Sequence, residues 1–424
     1  MQEKKKILIP GGKLSDWALV NAAHRLGLYV ITSGTNKAAP AHCFADEYVC
    51  ADYSDKEAML ALAREKQIDY MCSCANDFGM ISTAYVCERL GLPGHDSYET
   101  TLTLHHKDRF KPLAKKLGLH SPVSEVFDKA EDAAAFIRSA GRLMIVKPAD
   151  NVASKGVSVP RRDEEIASGV ELAFSQSGEK KIIVEPYIEG YFVTTTAMLI
   201  DQKVECFFAD SSHFYPEGEV IGPEFPMNVR NTGVLRPNPC IDRFAPPIIE
   251  DINKLARELK LVDGKFHCEL LVTPENEAWI FDAHRRMSGF DEPWPEWDLT
   301  TGLRWEDWIV RAECGMDLSA FPKGIRQNRF FHTRNIYAPR DGIIRRMVFD
   351  EYLSSHMFPH CGAKEYELAN LFVTDHLHNP VVRNLSLPTG GGIFFEFDTA
   401  EEAAYVGSPD EDHFYTHIKF EYDD

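Results

Sequence analysis

Two acidic residues are spaced so that a β-hairpin would bring them face to face. The β-rich runs FHCELLV and AWIFDAH flank Pro274–Glu277, a pattern that predicts a hairpin with a four-residue turn. This register places Glu269 opposite Asp282. Opposed side chains lie roughly 4.5–5.5 Å apart at Cβ, where like charges are destabilising. Paired carboxylates suit a hard divalent ion such as Mg²⁺, so the hairpin predicts a metal site. The alternative is a solvated face with ordinary charges.

Further polar side chains follow from the same hairpin register. His267 is expected opposite His284. Period-two alternation places Asp282, His284 and Arg286 on one face, so a cation points the same way as the acids. His267 itself is interpreted as a strand histidine with a local partner rather than as a ligand.

Four upstream segments carry groups suited to a nucleoside triphosphate. Lys107 lies in a basic run, and Lys147 ends an apolar strand-like run directly before a proline. The loop Ala153–Gly156 can present backbone N–H groups to phosphate oxygens. Glu185 follows the apolar run IIV, where an unpaired carboxylate would be costly, and it can accept from the amino group of a purine. These groups, followed by the acidic hairpin, predict a nucleotide and metal site.

Composition restricts the class of protein. The 424 residues carry a net charge of −19, which argues against nucleic acid or an anionic membrane as the main partner. No run approaches the ~18 apolar residues of a membrane span. Ten scattered cysteines are typical of free thiols in a reducing compartment. We therefore expect a cytoplasmic protein with structural cysteines.

The order of strand and helix signals predicts several domains. Residues 1–95 alternate between the two, which favours a parallel, doubly wound sheet. Gly11-Gly12 lacks the spacing of a dinucleotide fingerprint, so a structural turn is favoured over a nicotinamide-dependent oxidoreductase. From residue 103 onward come a basic helix, HHKDRFKPLAKKLGL, and runs typical of antiparallel strands. The segment 211–240, rich in Pro, Gly and Asn, is predicted to be a functional or mobile loop.

Four segments together resemble the ATP-grasp superfamily, and specifically its carboxylate–amine ligases: HHKDRFKPLAKKLGL, MIVKPADNVASKGVSV, IIVEPYIEG and CELLVTPENEAWIFDAHRRMSG. The resemblance covers about residues 1–310. It implies an α/β and α+β multidomain chain with a Rossmann-like pre-ATP-grasp domain at 1–102. The ATP-grasp domain is expected at 103–320, with a mobile nucleotide lid at about 140–190. A mixed α/β C-terminal lobe is expected at 321–424.

The resemblance also implies a role for each matching residue. Lys107 and Lys147 would contact ATP phosphates, and Lys147 and Arg286 would assist phosphoryl transfer. The remaining matches are Ser154, Lys155 and Gly156 in the loop that closes over the phosphates; Glu185, Tyr187 and Ile188 beside adenine; Glu189 near the ribose; Glu269, Asp282 and His284 at the metal; and Ser288-Gly289 after the arginine.

Three positions depart from the family's pattern. Asp282 stands where Glu is usual; it is shorter but can still ligate a metal. His284 stands where Asn is usual, and imidazole suits Mn²⁺ or Zn²⁺ better than Mg²⁺, so His284 is expected to contact either metal or substrate. Phe192 stands where many members carry an acid that binds the ribose. The ribose contact is therefore expected either from Glu189 or from a different kind of contact.

The reaction implied by the resemblance is amide formation through an acyl phosphate. A substrate carboxylate attacks the γ-phosphoryl group of ATP, ADP leaves, and an amine then displaces phosphate. Expected cofactors are ATP and Mg²⁺, with Mn²⁺ an open choice, and the expected partners are a small carboxylate and a small amine. Bicarbonate as the acid and an ATP-binding regulatory protein without turnover remain alternatives. In related ligases the C-terminal segment contributes to the acceptor site or a dimer contact, so a homodimer is also left open.

Overall fold

The first sheet explains the strand and helix alternation at the start of the chain. The computed structural model describes residues 4–151, 154–214, 231–287, 295–334, 342–357, 365–373, 393–407 and 413–422. Its first four strands form a parallel sheet in the order β3-β2-β1-β4, which confirms the predicted doubly wound architecture. The elements are β1 Lys6–Pro10, α1 Leu14–Arg25, β2 Tyr29–Ser33, β3 Glu47–Val49, α2 Lys56–Lys66, β4 Tyr70–Met71 and α3 Asp77–Leu90, with a 3₁₀ turn at Pro40–Phe44.

The predicted basic helix is present as α5, and a separate short helix, α4, precedes it. Helix α4 spans Tyr98–His105, and α5 spans Lys107–Leu117. Between them, His106 adopts an extended conformation (φ −79°, ψ 118°). The backbone N–H of Lys107 donates to the Ala149 carbonyl at 2.9 Å. This contact ties the start of α5 to the end of the Lys147 strand, so the break brings the two predicted phosphate-binding lysines into one region.

A small lobe carries the predicted nucleotide lid. Its antiparallel sheet has the order β5-β7-β6 and its own apolar core, which includes Val146, Val170 and Val184. The elements are β5 Glu125–Phe127, α6 Ala130–Ser139, β6 Met144–Pro148, α7 Asp163–Gln176 and β7 Ile182–Pro186. A separate sheet and core are what a lid needs in order to move as a unit; its movement stays a prediction.

The acidic hairpin belongs to a central antiparallel sheet. The strands β12-β11-β8-β9-β10 lie side by side in that order. One face packs on α8 through Phe244, Ile248 and Ile252. The elements are β8 Tyr191–Ile200, β9 Lys203–Phe214, β10 Asn231–Arg236, α8 Ile241–Leu259, β11 Gly264–Val272 and β12 Ala278–His284, followed by α9 Pro295–Thr301 and α10 Trp305–Glu313. The opposite face carries Glu269 and Asp282.

The predicted loop at 211–240 was too long. Residues up to Phe214 continue β9, and β10 begins at Asn231. Ser211 and Ser212 are buried within the sheet, where β10 pairs with β9. The sequence did not predict these strand ends because they are rich in polar and turn-forming residues. A strand that faces a polar site lacks the alternation of apolar and polar residues by which strands are predicted. Residues 215–230 lie outside the described ranges.

The last strands both extend the central sheet and form a further one. Strand β13 pairs with β10, and β16 pairs with β13, whereas β15-β14-β17 form a separate antiparallel sheet. These elements are β13 Phe330–Arg334, β14 Gly342–Phe349, α11 Glu351–His356, β15 Glu365–Val373, β16 Ile393–Phe397, α12 Ala400–Gly407, a 3₁₀ turn at Phe414–His417, and β17 Ile418–Tyr422. The domain boundaries at 102 and 320 stay predictions. Among the described helices, none is both long and apolar enough to cross a bilayer.

A buried ion pair joins the first sheet to the central sheet. The Lys265 ammonium on β11 contacts Glu313 on α10, and both residues are at most 5% exposed. The backbone N–H and hydroxyl of Ser73, just after β4, donate to the same carboxylate at 2.6 and 2.8 Å. Burial alone would raise the pKa of Glu313, but Lys265, His95 and the Ser73 N–H together outweigh it and the pKa is lowered. This contact joins the first sheet to the central sheet.

We expect Lys265→Met to lower the free energy of unfolding by about 3–5 kcal/mol, because Glu313 would then be a buried charge without its cation. Urea unfolding measures the change. Arg257→Met is the control, since Arg257 forms an exposed pair with Glu250 on α8 and should cost no more than about 1 kcal/mol. Equal effects of the two variants would show that the buried pair does not stabilise the fold.

Candidate nucleotide and metal site

A β-bulge sets the register of the acidic hairpin. Glu269 pairs with Asp282 and His267 with His284, as predicted, but Leu270 pairs with Ile280, so Phe281 is an extra residue in β12. The turn is also longer than the four residues expected. It runs from Thr273 to Glu277 and is closed by a 2.9 Å bond from the Thr273 N–H to the Glu277 carbonyl. The bulge compensates for the longer turn, and the two carboxylates face each other.

The carboxylate pair lies among cations. The Lys107 ammonium is 2.9 Å from Asp282 Oδ1. Arg286 Nη2 and His267 Nε2 lie 3.9 and 3.8 Å from Glu269 Oε1, which is too long for strong bonds. Burial, together with the charge of Glu269, raises the pKa of Asp282 despite the neighbouring Lys107. The pair is therefore incompletely neutralised, and two opposed oxygen ligands with residual negative charge fit a hard divalent ion.

A second carboxylate is saturated by lysines. Glu185 contacts the Lys147 ammonium through Oε1 and the Lys111 ammonium through Oε2 at 3.0 Å, and the Ser124 hydroxyl donates to Oε2 at 2.8 Å. Burial would raise the pKa of Glu185, but the two lysines outweigh it and lower the pKa to about 2. Both oxygens are thus engaged. The predicted contact with an adenine amino group stays a prediction, while the observed contacts hold two ammonium groups side by side.

Sequence reasoning missed Lys111. It lies four residues after Lys107 on α5, so both ammonium groups project from the same face of that helix. Both lysines are buried, at 8% and 3% exposure. The four-residue spacing of these lysines is visible in the sequence. It was not used because a run rich in Lys and Arg usually forms a solvent-exposed helix face.

The remaining nucleotide candidates lie around the lid. Ser154 (φ 58°) and Gly156 (φ 75°) adopt left-handed conformations in a tight turn. A Cβ on Gly156 would come within 3.0 Å of Pro148 and Gln176, so only glycine fits there. Lys155 is exposed, and Val152 and Ala153 lie outside the described residues. The turn at residues 154–156 therefore lies beside the end of β6, and its contact with phosphate stays a prediction.

In the segment after β7, some of the backbone hydrogen-bonding groups are already used within the protein. The Tyr187 N–H already donates to the Leu143 carbonyl at 3.0 Å, so a purine would meet the edge near Ile188, which is half-buried. Glu189 is exposed. Phe192 packs on Phe281 with ring centroids 5.4 Å apart. An aromatic contact thus stands where the family's ribose-binding acid was expected.

Asp77 is the main functional candidate that the sequence did not reveal. It begins α3, after the Asn76 side chain caps that helix. Arg286 Nε donates to Asp77 Oδ1 at 2.7 Å, and the Nδ1 atoms of His284 and His105 lie 3.3 and 3.7 Å from the same oxygen. Burial opposes ionisation, but Arg286 and the two imidazoles hold the pKa of Asp77 well below its usual range. An acid at the start of α3 thereby fixes the arginine beside the predicted metal pair.

His284 groups with Asp77 and His105 rather than closing on the carboxylate pair. Burial lowers the pKa of His105 to about 4, and burial together with the charge of Arg286 lowers that of His284 well below its usual value. The three side chains are close enough to share a metal ion. However, the Arg286 guanidinium already occupies Asp77 Oδ1, and a dication would meet it at short range. The metal role of His284 stays a prediction.

Comparison with known proteins identifies the fold around these residues. The family profile of the phosphoribosylglycinamide synthetase ATP-grasp (A) domain matches residues 105–214. The chain contains an ATP-grasp domain. This match covers Lys107, Lys147 and Glu185, and the acidic hairpin follows it in sequence.

The similarity extends to ligases and carboxylases. A formate-dependent phosphoribosylglycinamide formyltransferase of Methanocaldococcus jannaschii is 27% identical over 192 residues, which is 43% of this chain. The chain spans about half the length, 48%, of that relative. An L-amino acid ligase structure from Bacillus licheniformis superimposes with a TM-score of 0.72 at 17% identity, over 100% of both chains.

A third similar protein is a carboxylase domain. The biotin carboxylase domain dimer of the Hydrogenobacter thermophilus 2-oxoglutarate carboxylase, in complex with MgADP, ADP and bicarbonate, gives a TM-score of 0.69 at 16% identity. The superposition covers 99% of this chain and 91% of that one. Identities this low establish a shared multidomain fold, and the roles of individual residues rest on their geometry. Ser288-Gly289 lies outside the described residues.

We expect Glu269→Gln and Asp282→Asn each to weaken Mn²⁺ binding at least tenfold in the presence of a non-hydrolysable ATP analogue, because each removes one opposed carboxylate. Calorimetric titration of Mn²⁺ measures this. Glu275→Gln and Glu277→Gln are matched controls, since both are exposed acids in the turn of the same hairpin. Unchanged Mn²⁺ affinity in the first two variants would place the metal elsewhere.

Proposed function

We propose that the protein is an ATP-dependent carboxylate–amine ligase. It would activate a small carboxylate as an acyl phosphate with release of ADP, then join it to a small amine with release of phosphate. The observation that carries the proposal is the opposition of Glu269 and Asp282, with Lys107 and Arg286 beside them. The ATP-grasp domain and the similarity to ligases support it.

The cations of the site match the charge of ATP. Lys107, Lys111, Lys147 and Arg286 are buried and each is held by a carboxylate. Lys107 competes with a divalent ion for the same Asp282 oxygen, so occupation of the carboxylate pair would release this ammonium toward phosphate. Bound magnesium would supply neutralising charge for the phosphate oxygens. Glu269 and Asp282 are the residues proposed to hold it.

Phosphoryl transfer then depends on positioning. Arg286 would neutralise charge that develops on the transferred group, and Asp77 fixes the direction of its guanidinium. A carboxylate substrate is itself the nucleophile, so no protein nucleophile is required. In agreement, burial raises the pKa values of Cys72 and Cys74, which follow β4, and of Cys268 on β11, and keeps these thiols protonated.

Bicarbonate is a second candidate for the acid. One observation favours it: the carboxylase domain that shares this fold was crystallised with MgADP and bicarbonate. A bicarbonate-dependent enzyme would form carboxyphosphate and a carboxylated amine. The same assay separates the two candidates.

The test is release of ADP and phosphate from Mg-ATP with pools of amino acids, other carboxylates, amines and bicarbonate, with product masses measured in parallel. The ligase predicts ADP release that requires an acid and an amine, and a product at their summed mass less water. Arg286→Ala should reduce kcat about 10²–10³-fold. ADP release that requires bicarbonate would favour the carboxylating candidate, and AMP with pyrophosphate would contradict the acyl-phosphate mechanism.

Asp77→Asn should lower kcat by about tenfold or more while leaving the KM for ATP within about twofold, because it misplaces Arg286 without removing it. Steady-state kinetics with the substrates found above measures both constants. Asp77→Glu should restore part of kcat, since the carboxylate returns. A loss of kcat that matches the fraction of unfolded protein measured by circular dichroism, with no rescue in Asp77→Glu, would show that Asp77 acts only on stability.

A further inference from the structure

Three polar side chains meet where the lid lobe joins helix α5. His106 precedes α5, Asp108 lies in its first turn, and Glu179 lies in the connection between α7 and β7 of the lid lobe. One ligand atom from each side chain lies within 4.8 Å of the other two. This cluster shares no residue with the carboxylate pair of the predicted Mg²⁺ site.

Backbone hydrogen bonds fix the relative positions of these segments. The Lys107 N–H donates to the Ala149 carbonyl at 2.9 Å, and the Ala149 N–H donates to the Lys181 carbonyl at 3.1 Å. The Glu179 N–H donates to Asp150 Oδ2 at 2.8 Å. The start of α5 and the segment that carries Glu179 are therefore held side by side before any ion binds.

Two of the three side chains have a buried atom that makes no hydrogen bond. His106 Nδ1 and Asp108 Oδ1 are both buried and have no hydrogen-bond partner among the described residues. The Asp108 side chain is only 8% exposed. A buried polar atom without a partner is costly unless a ligand supplies the missing contact.

The ordinary structural roles of these positions do not account for the two atoms. His106 is the N-cap residue of α5, but its side chain makes no capping hydrogen bond. An acid in the first turn of a helix, such as Asp108, is stabilised by the helix dipole. That effect explains a negative charge at this position, but it leaves the buried Oδ1 without a donor.

The spacing and the atom types suit a tetrahedral metal ion. His106 Nδ1 lies 3.4 Å from Glu179 Oε1. Two ligands that are each about 2.1 Å from a tetrahedral zinc ion are roughly 3.4 Å apart. An imidazole nitrogen with two carboxylate oxygens is a ligand set for zinc, whereas Mg²⁺ and Ca²⁺ prefer oxygen ligands alone. Three protein ligands leave the fourth position of the ion for water.

Lys181 is the cation that neutralises this cluster in the structure. Its ammonium lies 2.8 Å from Asp108 Oδ2 and 3.8 Å from Glu179 Oε2. Neither contact uses Asp108 Oδ1 or Glu179 Oε1. The Lys181 side chain is 42% exposed, so it can turn toward solvent when a dication binds. The cluster around Asp77 differs in this respect, because the Arg286 side chain there is only 7% exposed.

We propose that His106, Asp108 and Glu179 bind a divalent transition-metal ion such as Zn²⁺ at the junction of α5 and the lid lobe. The ion would join the two segments beside Lys107 and would restrict movement of the lid lobe relative to α5. The site is separate from the proposed ligase reaction, since metal binding here requires neither ATP nor an organic substrate.

The test is calorimetric titration of Zn²⁺ into the full-length Glu269→Gln/Asp282→Asn double variant without nucleotide. The double variant removes the predicted Mg²⁺ ligands, so they do not contribute to the measurement. We expect one Zn²⁺ per chain, and at least about tenfold weaker binding when His106→Asn, Asp108→Asn or Glu179→Gln is added. Asn is a favoured N-cap residue, so His106→Asn should preserve α5.

A matched control lies in the same lobe. Glu164→Gln makes the same chemical change as Glu179→Gln at an exposed position on α7, and it should leave the Zn²⁺ affinity unchanged. Glu179→Gln also provides a second reading if Asp108→Asn fails to fold, because the Glu179 side chain is 36% exposed. Circular dichroism confirms that each variant is folded.

Two further measurements distinguish a metal site from a cluster with a purely structural role. Co²⁺ in place of Zn²⁺ should give the visible absorption spectrum of a tetrahedral ion, and His106→Asn should abolish it. Lys181→Met should bind Zn²⁺ more tightly, because a competing positive charge is removed.

A Zn²⁺ affinity that is unchanged in all three ligand variants would overturn the inference and show adventitious binding elsewhere. Absence of Zn²⁺ binding to the folded double variant would also overturn it, as would weaker binding in Lys181→Met. Zn²⁺ binding that depends on these ligands, without ADP release by the wild-type protein from any acid, would leave the metal site standing and contradict the ligase. Acid-dependent ADP release without such Zn²⁺ binding would do the reverse.

Discussion

The opposition of Glu269 and Asp282 is the constraint on which the rest of the site depends. Two carboxylates on adjacent strands repel, and their burial makes the repulsion stronger. The chain tolerates the pair because Lys107 holds one acid and Arg286 and His267 lie near the other. The pair would bind a cation, but it destabilises the protein when no cation is bound. Functional sites often lower the stability of a protein in this way.

Three separate parts of the chain supply the groups that surround this pair. Helix α3, which follows the first sheet's strand β4, contributes Asp77, which orients Arg286. Helix α5 contributes Lys107 and Lys111 from one face, and the lid lobe contributes Lys147 and Glu185. Because the same α5 face touches both the lid and the hairpin, movement of the lid would change the distance between the lysines and the metal pair. A phosphate chain bound between them would bring these parts together.

Local patterns predicted the parts of the site that lie close together in sequence. The hairpin pairing was correct even though the turn is longer than expected, because the bulge at Phe281 restores the opposition of the acids. The parallel first sheet followed from strand and helix alternation. By contrast, Asp77 is about two hundred residues from Arg286, and no local signal joins them. The pairing of β13 with β10 is equally distant. The strand ends within 211–214 and 231–236 were missed because polar and turn-forming residues conceal the alternation of a strand.

The most direct test of the metal-pair account is anomalous X-ray diffraction from crystals grown with Mn²⁺ and a non-hydrolysable ATP analogue. The account predicts a manganese peak bonded to both Glu269 and Asp282, at about 2.0–2.2 Å, with Lys107 withdrawn from Asp282 toward phosphate. A peak among Asp77, His105 and His284, with Glu269 and Asp282 unligated, would contradict the account and place the metal on the other side of Arg286.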